Sequence, residues 1–187
     1  MGKIVSFINT TPDGFMDSQY VTPDPEYFAF VHDLLAGIQT VAYGRNTFEL
    51  FQQLWPARLE SEDTPAWQRS MAQALTNIPK HVYSSRLNVT TWSNATIVRA
   101  VDVEAIRRFK RADQKGLLTF GSMELVAALT EKQLVDDYYF CIQPVLAGGG
   151  NVRLFDKIKL SAARPLKLKS TKVLPSGVVI VHYECAD

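Results

Sequence analysis

The stretch from Gly116 to Asp156 places the strongest constraint on the fold of this chain. Its residues GLLTFGSMELVAALTEKQLVDDYYFCIQPVLAGGGNVRLFD predict a short buried strand, a Gly121-Ser122 turn, a helix, a second strand over Tyr138–Leu146 and a triple-glycine loop. Ser122 is a favoured helix N-cap residue. A helix that begins directly at a strand end presents free backbone amides to a phosphate. The stretch therefore predicts an α/β architecture with a candidate anion site.

The same alternation of strands and helices runs through the rest of the chain. Short apolar runs predict strands at 3–9, 40–43, 80–84, 95–98 and 166–171, and amphipathic runs predict helices at 23–36, 45–54, 67–75 and 103–112. Trp55-Pro56 is expected to end the second helix. Alternating Leu and Lys in 166–171 predicts a strand with one solvent-exposed face. A Pro-Ser-Gly turn then predicts a C-terminal hairpin. We expect one domain over 1–187, an α/β three-layer α-β-α sandwich with a mixed, mainly parallel sheet.

Polar turns follow four of the predicted strands. Because ligands of such sheets bind at the carboxyl ends of the strands, we expect these turns to converge on one rim. The turns are Asn9–Gly14, Gly44–Thr47, Ser84–Arg86 and Gly121–Ser122.

Two of these turns have the parts of an anion site. Gly44 permits close approach, Arg45 supplies a forked cation, and Thr47 adds a hydroxyl at a helix start. Ser84-Ser85-Arg86 combines hydroxyls with a guanidinium group and suits a ribose 2′-phosphate. A helix cap with a solvated arginine, or a polar strand end, explains either turn as well. No G-x-G-x-x-G fingerprint is present, so a standard Rossmann site is unsupported.

Composition and spacing argue against several other functions. The net charge of +1 points neither to nucleic acid nor to an anionic membrane as a partner. No apolar run reaches the roughly 20 residues of a membrane span and no signal peptide is evident, so a cytoplasmic location is expected. The two cysteines fall in predicted strands, where free thiols are favoured over a disulfide. The three histidines are too widely spaced to predict a metal site.

The sequence resembles the dihydrofolate-reductase-like family, in the branch that includes the reductase domain of the riboflavin-pathway enzyme RibD and its bacterial relatives. The resemblance implies a mixed sheet of about eight strands that closes with an antiparallel hairpin. It is carried by TPDGFMD at 11–17, YGRNTFELF at 43–51, VYSSR at 82–86 and FGSMELVAAL…LVDDYYFCIQPVLAGGG…LF at 120–155.

The resemblance implies NADPH as the cofactor, lying across the strand ends. The residues that match the family's cofactor turns are Gly44, Arg45 and Thr47 for phosphate, Ser84, Ser85 and Arg86 for the adenosine end, and Gly121, Ser122, Met123 and Leu125 under the pyrophosphate. Asn9 and the loop after it would border the nicotinamide.

The sequence departs from the family at positions that handle the substrate. Dihydrofolate reductases carry an acid sixteen residues before the glycine of the Gly-Arg turn, and this chain has Phe28 there, with Glu26 as the nearest acid. Phe7 and Thr119 stand where riboflavin-pathway reductases commonly have a lysine and a glutamate. Asp13 and Glu26 are the candidate proton donors. An apolar substrate pocket is expected from Phe7, Phe15, Phe28, Phe48 and Trp55, which alternatively belong to the core.

These observations predict an NADPH-dependent oxidoreductase that transfers a hydride to a C=N or C=O bond of a small heterocyclic substrate. By resemblance, its relatives are 5-amino-6-(5-phosphoribosylamino)uracil reductase and dihydrofolate reductase. The alternative is a non-catalytic NADPH-binding or regulatory protein that keeps the fold without the catalytic acid. Family habit implies a homodimer, paired through the LVDDYYFCI strand or the hairpin.

Overall fold

The computed structural model describes residues 2–22, 24–112, 115–154, 156 and 158–186. The strands in this part of the chain are β1 (Ile4–Thr10), β2 (Ile38–Gly44), β3 (Lys80–Tyr83), β4 (Ala95–Val98), β5 (Gly116–Phe120), β6 (Asp137–Ile142), β7 (Leu166–Val173) and β8 (Val179–Cys185). They form one mixed sheet in the order β4-β3-β2-β5-β1-β6-β8-β7. The first six strands in this order are parallel to one another. β8 is antiparallel to both of its neighbours, which confirms the expected hairpin.

Helices cover both faces of the sheet and make three layers. One hydrophobic core packs α1 (Pro25–Ala36), α2 (Arg45–Glu60) and α3 (Ala66–Asn77) on the face that contains Phe7. A second core packs α4 (Val103–Ala112) and α5 (Met123–Glu131) on the face that contains Ile8. β1 is therefore buried on both faces, as its continuous apolar sequence predicts. The parallel strands end together on one rim, where the polar turns meet.

The first helix begins slightly later than the sequence suggests. Pro23, the start of the predicted helix, lies outside the described residues. Asp24 is the N-cap and accepts a 2.8 Å hydrogen bond from the backbone N–H of Tyr27, while Pro25 occupies the first turn. This arrangement uses a proline where its missing N–H costs nothing, and Gly37 ends the helix as expected.

The expectation that Trp55-Pro56 ends the second helix is wrong. α2 continues through Pro56 to Glu60. Its end is held by Arg69 of α3, whose guanidinium donates to the carbonyl oxygens of Leu59 and Ser61 at 2.9 and 2.8 Å. The packing of α2 on α3 thus compensates for the hydrogen bond that the proline removes.

Two strand predictions near the C-terminus also need correction. β6 ends at Ile142 instead of Leu146, because Pro144 cannot donate to a ladder and the chain turns there. β7 is the edge strand beside β8 and is exposed along its whole length, so both of its faces contact solvent instead of one. The LVDDYYFCI strand lies between β1 and β8, so its edges are already paired within the chain. Both cysteines are free thiols, as expected.

Candidate functional site

A cavity of about 960 Å³ opens at the carboxyl ends of the parallel strands. Its size lies within the range of small-molecule and cofactor sites. All eleven residues that the sequence assigns to the cofactor line this cavity: Asn9, Gly44, Arg45, Thr47, Ser84, Ser85, Arg86, Gly121, Ser122, Met123 and Leu125. Three of the four polar turns therefore converge on this cavity, whereas the turn Asn9–Gly14 contributes only Asn9 to it and residues 10–14 line a separate pocket.

The turns after β2 and β5 are joined directly. The backbone N–H of Gly44 donates a 2.8 Å hydrogen bond to the Oγ of Ser122. A Cβ at position 44 would lie 3.2 Å from the Cβ of Ser122, so only glycine permits this approach without displacement. Ser122 adopts a left-handed backbone with φ of 60°, which turns its hydroxyl away from its own helix. The starts of α2 and α5 are consequently held side by side.

Ser122 occupies the N-cap position, but its hydroxyl does not cap α5. Within the described residues, no side chain caps either α5 or α2, whose N-cap residue is Gly44. The first-turn amides of both helices are left for another acceptor, and both helix dipoles place partial positive charge at the same place. Such a pair of helix starts suits two linked phosphate groups.

Arg45 stands in the first turn of α2, at the edge of this anion site. Its Nη1 lies 3.1 Å from the carboxylate of Glu49, one turn further along the helix. The pair is partly exposed, so it holds the guanidinium in place more than it stabilises the fold. Arg45 is therefore positioned to contact an anion beside Thr47 and the helix amides.

The turn after β3 lies beside a second cation, Arg99, which the sequence did not predict as a site residue. The hydroxyl of Ser84 accepts from the backbone amides of Arg86 and Leu87 at 3.2 and 2.9 Å, so Ser84 shapes the turn. Ser85 and Arg86 are exposed beside it. Arg99 follows β4 and lines the same end of the cavity, with its guanidinium 2.7 Å from the carbonyl oxygen of Leu87. The sequence signal for Arg99 is its position directly after the predicted strand at 95–98.

Two of the five aromatic residues expected in the substrate pocket line the cavity. Phe28 and Trp55 line the cavity, with their rings 5.7 Å apart between centroids. Phe7 and Phe48 are fully buried in the core and do not line the cavity. Phe15 pairs with Arg153 across a loop bridge and contacts the guanidinium of that residue. The alternative that these side chains belong to the core is right for Phe7 and Phe48.

An uncharged wall forms the end of the cavity that contains Phe28 and Trp55. α1, α3 and the part of α2 after Thr47 contribute only uncharged side chains from the described residues, namely Tyr27, Phe28, Val31, Leu50, Phe51, Leu54, Trp55 and Met71. The polar groups here are the phenol of Tyr27 and the amide of Asn9, which contact each other at 2.9 Å. The sequence does not mark Tyr27 as a site residue, because the family position of the acid is that of its neighbour, Phe28.

Neither candidate proton donor faces this wall. Asp13 accepts a 2.6 Å hydrogen bond from the hydroxyl of Thr11 and further bonds from the amides of Ala147 and Gly148. These donors lower the pKa of Asp13 to about 2, with the Thr11 hydroxyl as the largest cause. An ionised carboxylate that is committed to loop amides has no proton to give. Glu26 is exposed on the outer side of α1. The geometry therefore supports neither Asp13 nor Glu26 as the acid.

Asp17 clamps the same glycine-rich loop at the mouth of the cavity. Its carboxylate accepts from the amides of Asn151 and Val152 at 2.9 and 3.2 Å. These bonds lower the pKa of Asp17. Asp13 and Asp17 thus connect loop 11–17 to loop 147–152, and Asp17, Asn151 and Val152 line the cavity.

Substitution of Asp13 by asparagine is expected to weaken the dependence of stability on acid. The folded pKa is about 2, below the ordinary value of 3.8, so the stabilisation is present above pH 3.8 and is lost as the pH falls through 2. In the D13N variant this part of the fall is absent, and the variant is already less stable at pH 7. Urea unfolding between pH 2 and 7 measures both effects. A variant with the wild-type slope would show that the clamp does not form.

Two further features, a metal site and a membrane-spanning helix, were sought among the described residues. Among the described residues, no group of three or more His, Cys, Asp or Glu side chains is arranged to hold a metal ion. None of the helices in the described ranges has the length and apolar character that crossing a lipid bilayer requires.

Known proteins share this sequence pattern. A family model described as the RibD C-terminal domain matches residues 3–180. The uncharacterized protein YyaP of Bacillus subtilis (strain 168) is 27% identical over 187 residues, which cover 97% of this chain and 94% of that protein.

Solved structures share the fold. A putative riboflavin biosynthesis protein from Shewanella sp. PV-4 matches with a TM-score of 0.73 at 18% identity, over 99% of each chain. The diaminohydroxyphosphoribosylaminopyrimidine deaminase/5-amino-6-(5-phosphoribosylamino)uracil reductase of Thermotoga maritima matches with 0.68 at 15%, over 99% of this chain and 57% of that one. Dihydrofolate reductase from Enterococcus faecalis, complexed with NADP(H) and RAB-propyl, matches with 0.62 at 13%, over 100% and 98%. With the family model matched almost from end to end, this chain belongs to the RibD C-terminal domain family and has the fold of dihydrofolate reductase.

Proposed function

We propose that this protein is an NADPH-dependent reductase that transfers a hydride to a C=N or C=O bond of a small, pyrimidine-like heterocycle. Membership of the RibD C-terminal domain family supports an oxidoreductase in general. The Thermotoga maritima protein of the same fold carries a uracil reductase activity in its name, and the Enterococcus faecalis enzyme is complexed with NADP(H).

The observation that carries the proposal is the junction of two helix starts through Gly44 and Ser122. A pyrophosphate has two negatively charged groups, and this junction places two sets of free amides and two helix dipoles together. Arg45 adds a full positive charge at one side. The residues present therefore fit a dinucleotide cofactor.

Each part of the cavity then has a separate task. Arg45 and Thr47 hold the phosphates, and Arg86 with Arg99 contacts a 2′-phosphate at the adenosine end. The uncharged wall around Trp55 orients a flat ring and keeps water from it. When bound, the cofactor supplies the hydride itself.

Nucleotide binding measured by calorimetry tests the first part of the proposal. Wild-type protein is expected to bind NADPH saturably and more tightly than NADH. The R45A variant is expected to lose about tenfold or more in affinity for both nucleotides, because a charge-assisted hydrogen bond contributes about 1.5–3 kcal/mol. R99A should weaken NADPH alone, since NADH lacks the 2′-phosphate.

Arg58 at the far end of the same helix provides a matched control. Its guanidinium bonds to Gln68 at 2.6 Å, away from the cavity lining. R58A should therefore bind NADPH like the wild type. Equal, millimolar binding of NADPH and NADH by the wild-type protein would overturn the proposal.

A turnover assay separates the reductase from a protein that only binds the nucleotide. The exposed position of Glu26 and the committed carboxylate of Asp13 favour the second possibility. Oxidation of NADPH is followed with a panel of pterins, pyrimidines and quinones. Turnover with one class supports the reductase and gives its substrate, whereas tight binding without turnover supports the binding protein.

We also propose that two copies of the chain pair through the outer edge of β7. This edge strand exposes Leu166, Leu168 and Val173 at 38%, 54% and 70%. The sequence of β7, LKLKSTKV, is mixed, and as an edge strand it has unpaired backbone N–H and C=O groups that can pair with another strand. Light scattering should give twice the mass of 21.0 kDa. A charged substitution, V173E, should return the monomer, and a monomeric wild type would contradict the pairing.

A further inference from the structure

We propose that the phenol of Tyr27 is the hydrogen-bond donor that selects the substrate, and that the substrate is a neutral, flat ring with an acceptor atom at its edge. The inference rests on the proposed function only in taking the uncharged wall as the substrate end of the cavity. Three observations support it, namely the direction of a hydrogen-bond chain, the absence of charge on the wall and the burial of the phenol.

The hydrogen-bond chain begins at a backbone amide, and this fixes the orientation of each side-chain amide along it. The N–H of Thr22 donates to the Oε1 of Gln143 at 2.9 Å. The Nε2 of Gln143 must then face Asn9, where it donates to Oδ1 at 3.1 Å. Asn9 in turn presents Nδ2 to the phenol oxygen of Tyr27 at 2.9 Å. A backbone N–H can only donate, so this order is set without reference to the ligand.

The phenol of Tyr27 therefore accepts a hydrogen bond from the Nδ2 of Asn9 and donates its own proton to the Oδ1 of the same side chain. The bond that the phenol donates to Oδ1 is the longer of the two, at 3.2 Å against 2.9 Å for the bond from Nδ2. That oxygen already accepts from Gln143, so it loses little when the phenol proton turns to another acceptor. Tyr27 and Asn9 both line the cavity, and a ligand atom is such an acceptor.

The electrostatics of this end disfavour an anionic substrate group, and the Asp24 carboxylate acts on Tyr27 in the same sense. The wall that α1, α3 and the later part of α2 form has uncharged side chains throughout the described residues. A phosphate or carboxylate placed against Phe28 and Trp55 would lose its hydration without gaining a cation. Burial, the largest cause, raises the pKa of Tyr27 far above its ordinary value. The phenol is consequently a donor over the whole physiological range of pH.

The hydrogen bond also has a part in the reaction. As hydride adds to the ring carbon, the electron pair of the C=N or C=O bond moves to the heteroatom. A phenol donating to that heteroatom stabilises the developing negative charge. The heteroatom then takes one proton from water at the open mouth, and bulk solvent neutralises the hydroxide that is left, while the phenol keeps its own proton. The balanced change is the addition of one hydride and one proton to the ring.

A matched pair of probe ligands tests the inference without cofactor or turnover. Quinoline has a ring nitrogen that accepts a hydrogen bond, and naphthalene has the same shape without it. Ligand-observed NMR measures the affinity of each for the apo protein. Tyr27→Phe is expected to weaken quinoline about tenfold, the effect of one buried hydrogen bond, and to leave naphthalene within twofold of the wild type.

Tyr43→Phe is the control for loss of a buried hydroxyl. Tyr43 is fully buried outside the cavity lining, and its phenol oxygen has no hydrogen-bond partner among the described residues. The variant should bind both probes like the wild type. Thermal unfolding of each variant shows that the comparison is between folded proteins.

Gln143 is a positioning residue in this account, and a double-mutant cycle tests it. In Gln143→Met the oxygen of Asn9 is free to retain the phenol proton, so quinoline should bind several-fold more weakly. The same substitution in the Tyr27→Phe background should cost nothing further. A purely structural role for Gln143 would give the same loss in both backgrounds and would contradict the proposed order.

The outcomes separate this inference from the proposed function. Failure of wild-type protein to bind quinoline saturably, or equal affinity of wild type and Tyr27→Phe for it, overturns the role of Tyr27. Loss of nucleotide binding by the wild type would instead overturn the reductase and leave the probe comparison valid.

Discussion

Replacement of Lys80 by methionine is expected to lower the free energy of unfolding by about 3 kcal/mol. Lys80 is fully buried at the start of β3. Its Nζ donates to the carbonyl oxygens of Thr76, Ile78 and Ser93 at 2.8–3.0 Å and lies 4.6 Å from the centre of the Trp92 ring. Methionine has a similar volume but no donor. It leaves three carbonyl oxygens without this donor, and a buried polar group that loses its partner costs about 1–3 kcal/mol.

Chemical denaturation of the K80M variant at pH 7 measures this loss. Burial lowers the pKa of Lys80 to about 8, which leaves the ammonium group charged at that pH. Lys169→Met is the matched control, because Lys169 is exposed and pairs with Glu184 at the surface. The control should change stability by less than about 1 kcal/mol. Equal stability of K80M and the control would mean that water replaces the ammonium group.

The order of elements could be predicted because the chain signals it locally. β4 and α4 have the bounds that their sequences indicate, since each is a short periodic run with clear ends. The end of α2 could not be found in this way. Pro56 is a local signal to stop, and the guanidinium of Arg69 that opposes it comes from the next helix. Helix ends that depend on another element are invisible to local patterns.

The rim of the site could also be predicted, since parallel strands bring their carboxyl ends together whatever their separation in sequence. The chemistry of Asp13 could not. Its bonding amides, Ala147 and Gly148, lie 134 and 135 residues further along the chain. A loop aspartate that serves as a clamp has the same sequence as one that serves as an acid. Tyr27 was likewise hidden, because its role depends on Gln143, a residue after β6.

Substitution of Gly150 by alanine is expected to release the Asp17 clamp and widen the mouth of the cavity. A Cβ at this position would lie 2.5 Å from the Oδ2 of Asp17 and 2.6 Å from the ring of Phe15. Both neighbours are side-chain ends, so they move in preference to the backbone. Asp17 then loses its bonds from the amides of Asn151 and Val152. Overpacking of this kind costs about 1–3 kcal/mol.

The expected result in G150A is faster hydrogen exchange at residues 147–153, together with a fall of about 2–10 °C in the melting temperature. Gly149→Ala is the matched control one residue away, because a Cβ there has no atom within 4 Å in the described structure. That variant should keep both the exchange rates and the melting temperature of the wild type. If G150A and G149A behave alike, then Gly150 is not required for the close approach of the two loops. If only G150A opens the loop, the contact with Asp17 explains the third glycine of the triplet, and the clamp is the structure that shapes this side of the cavity.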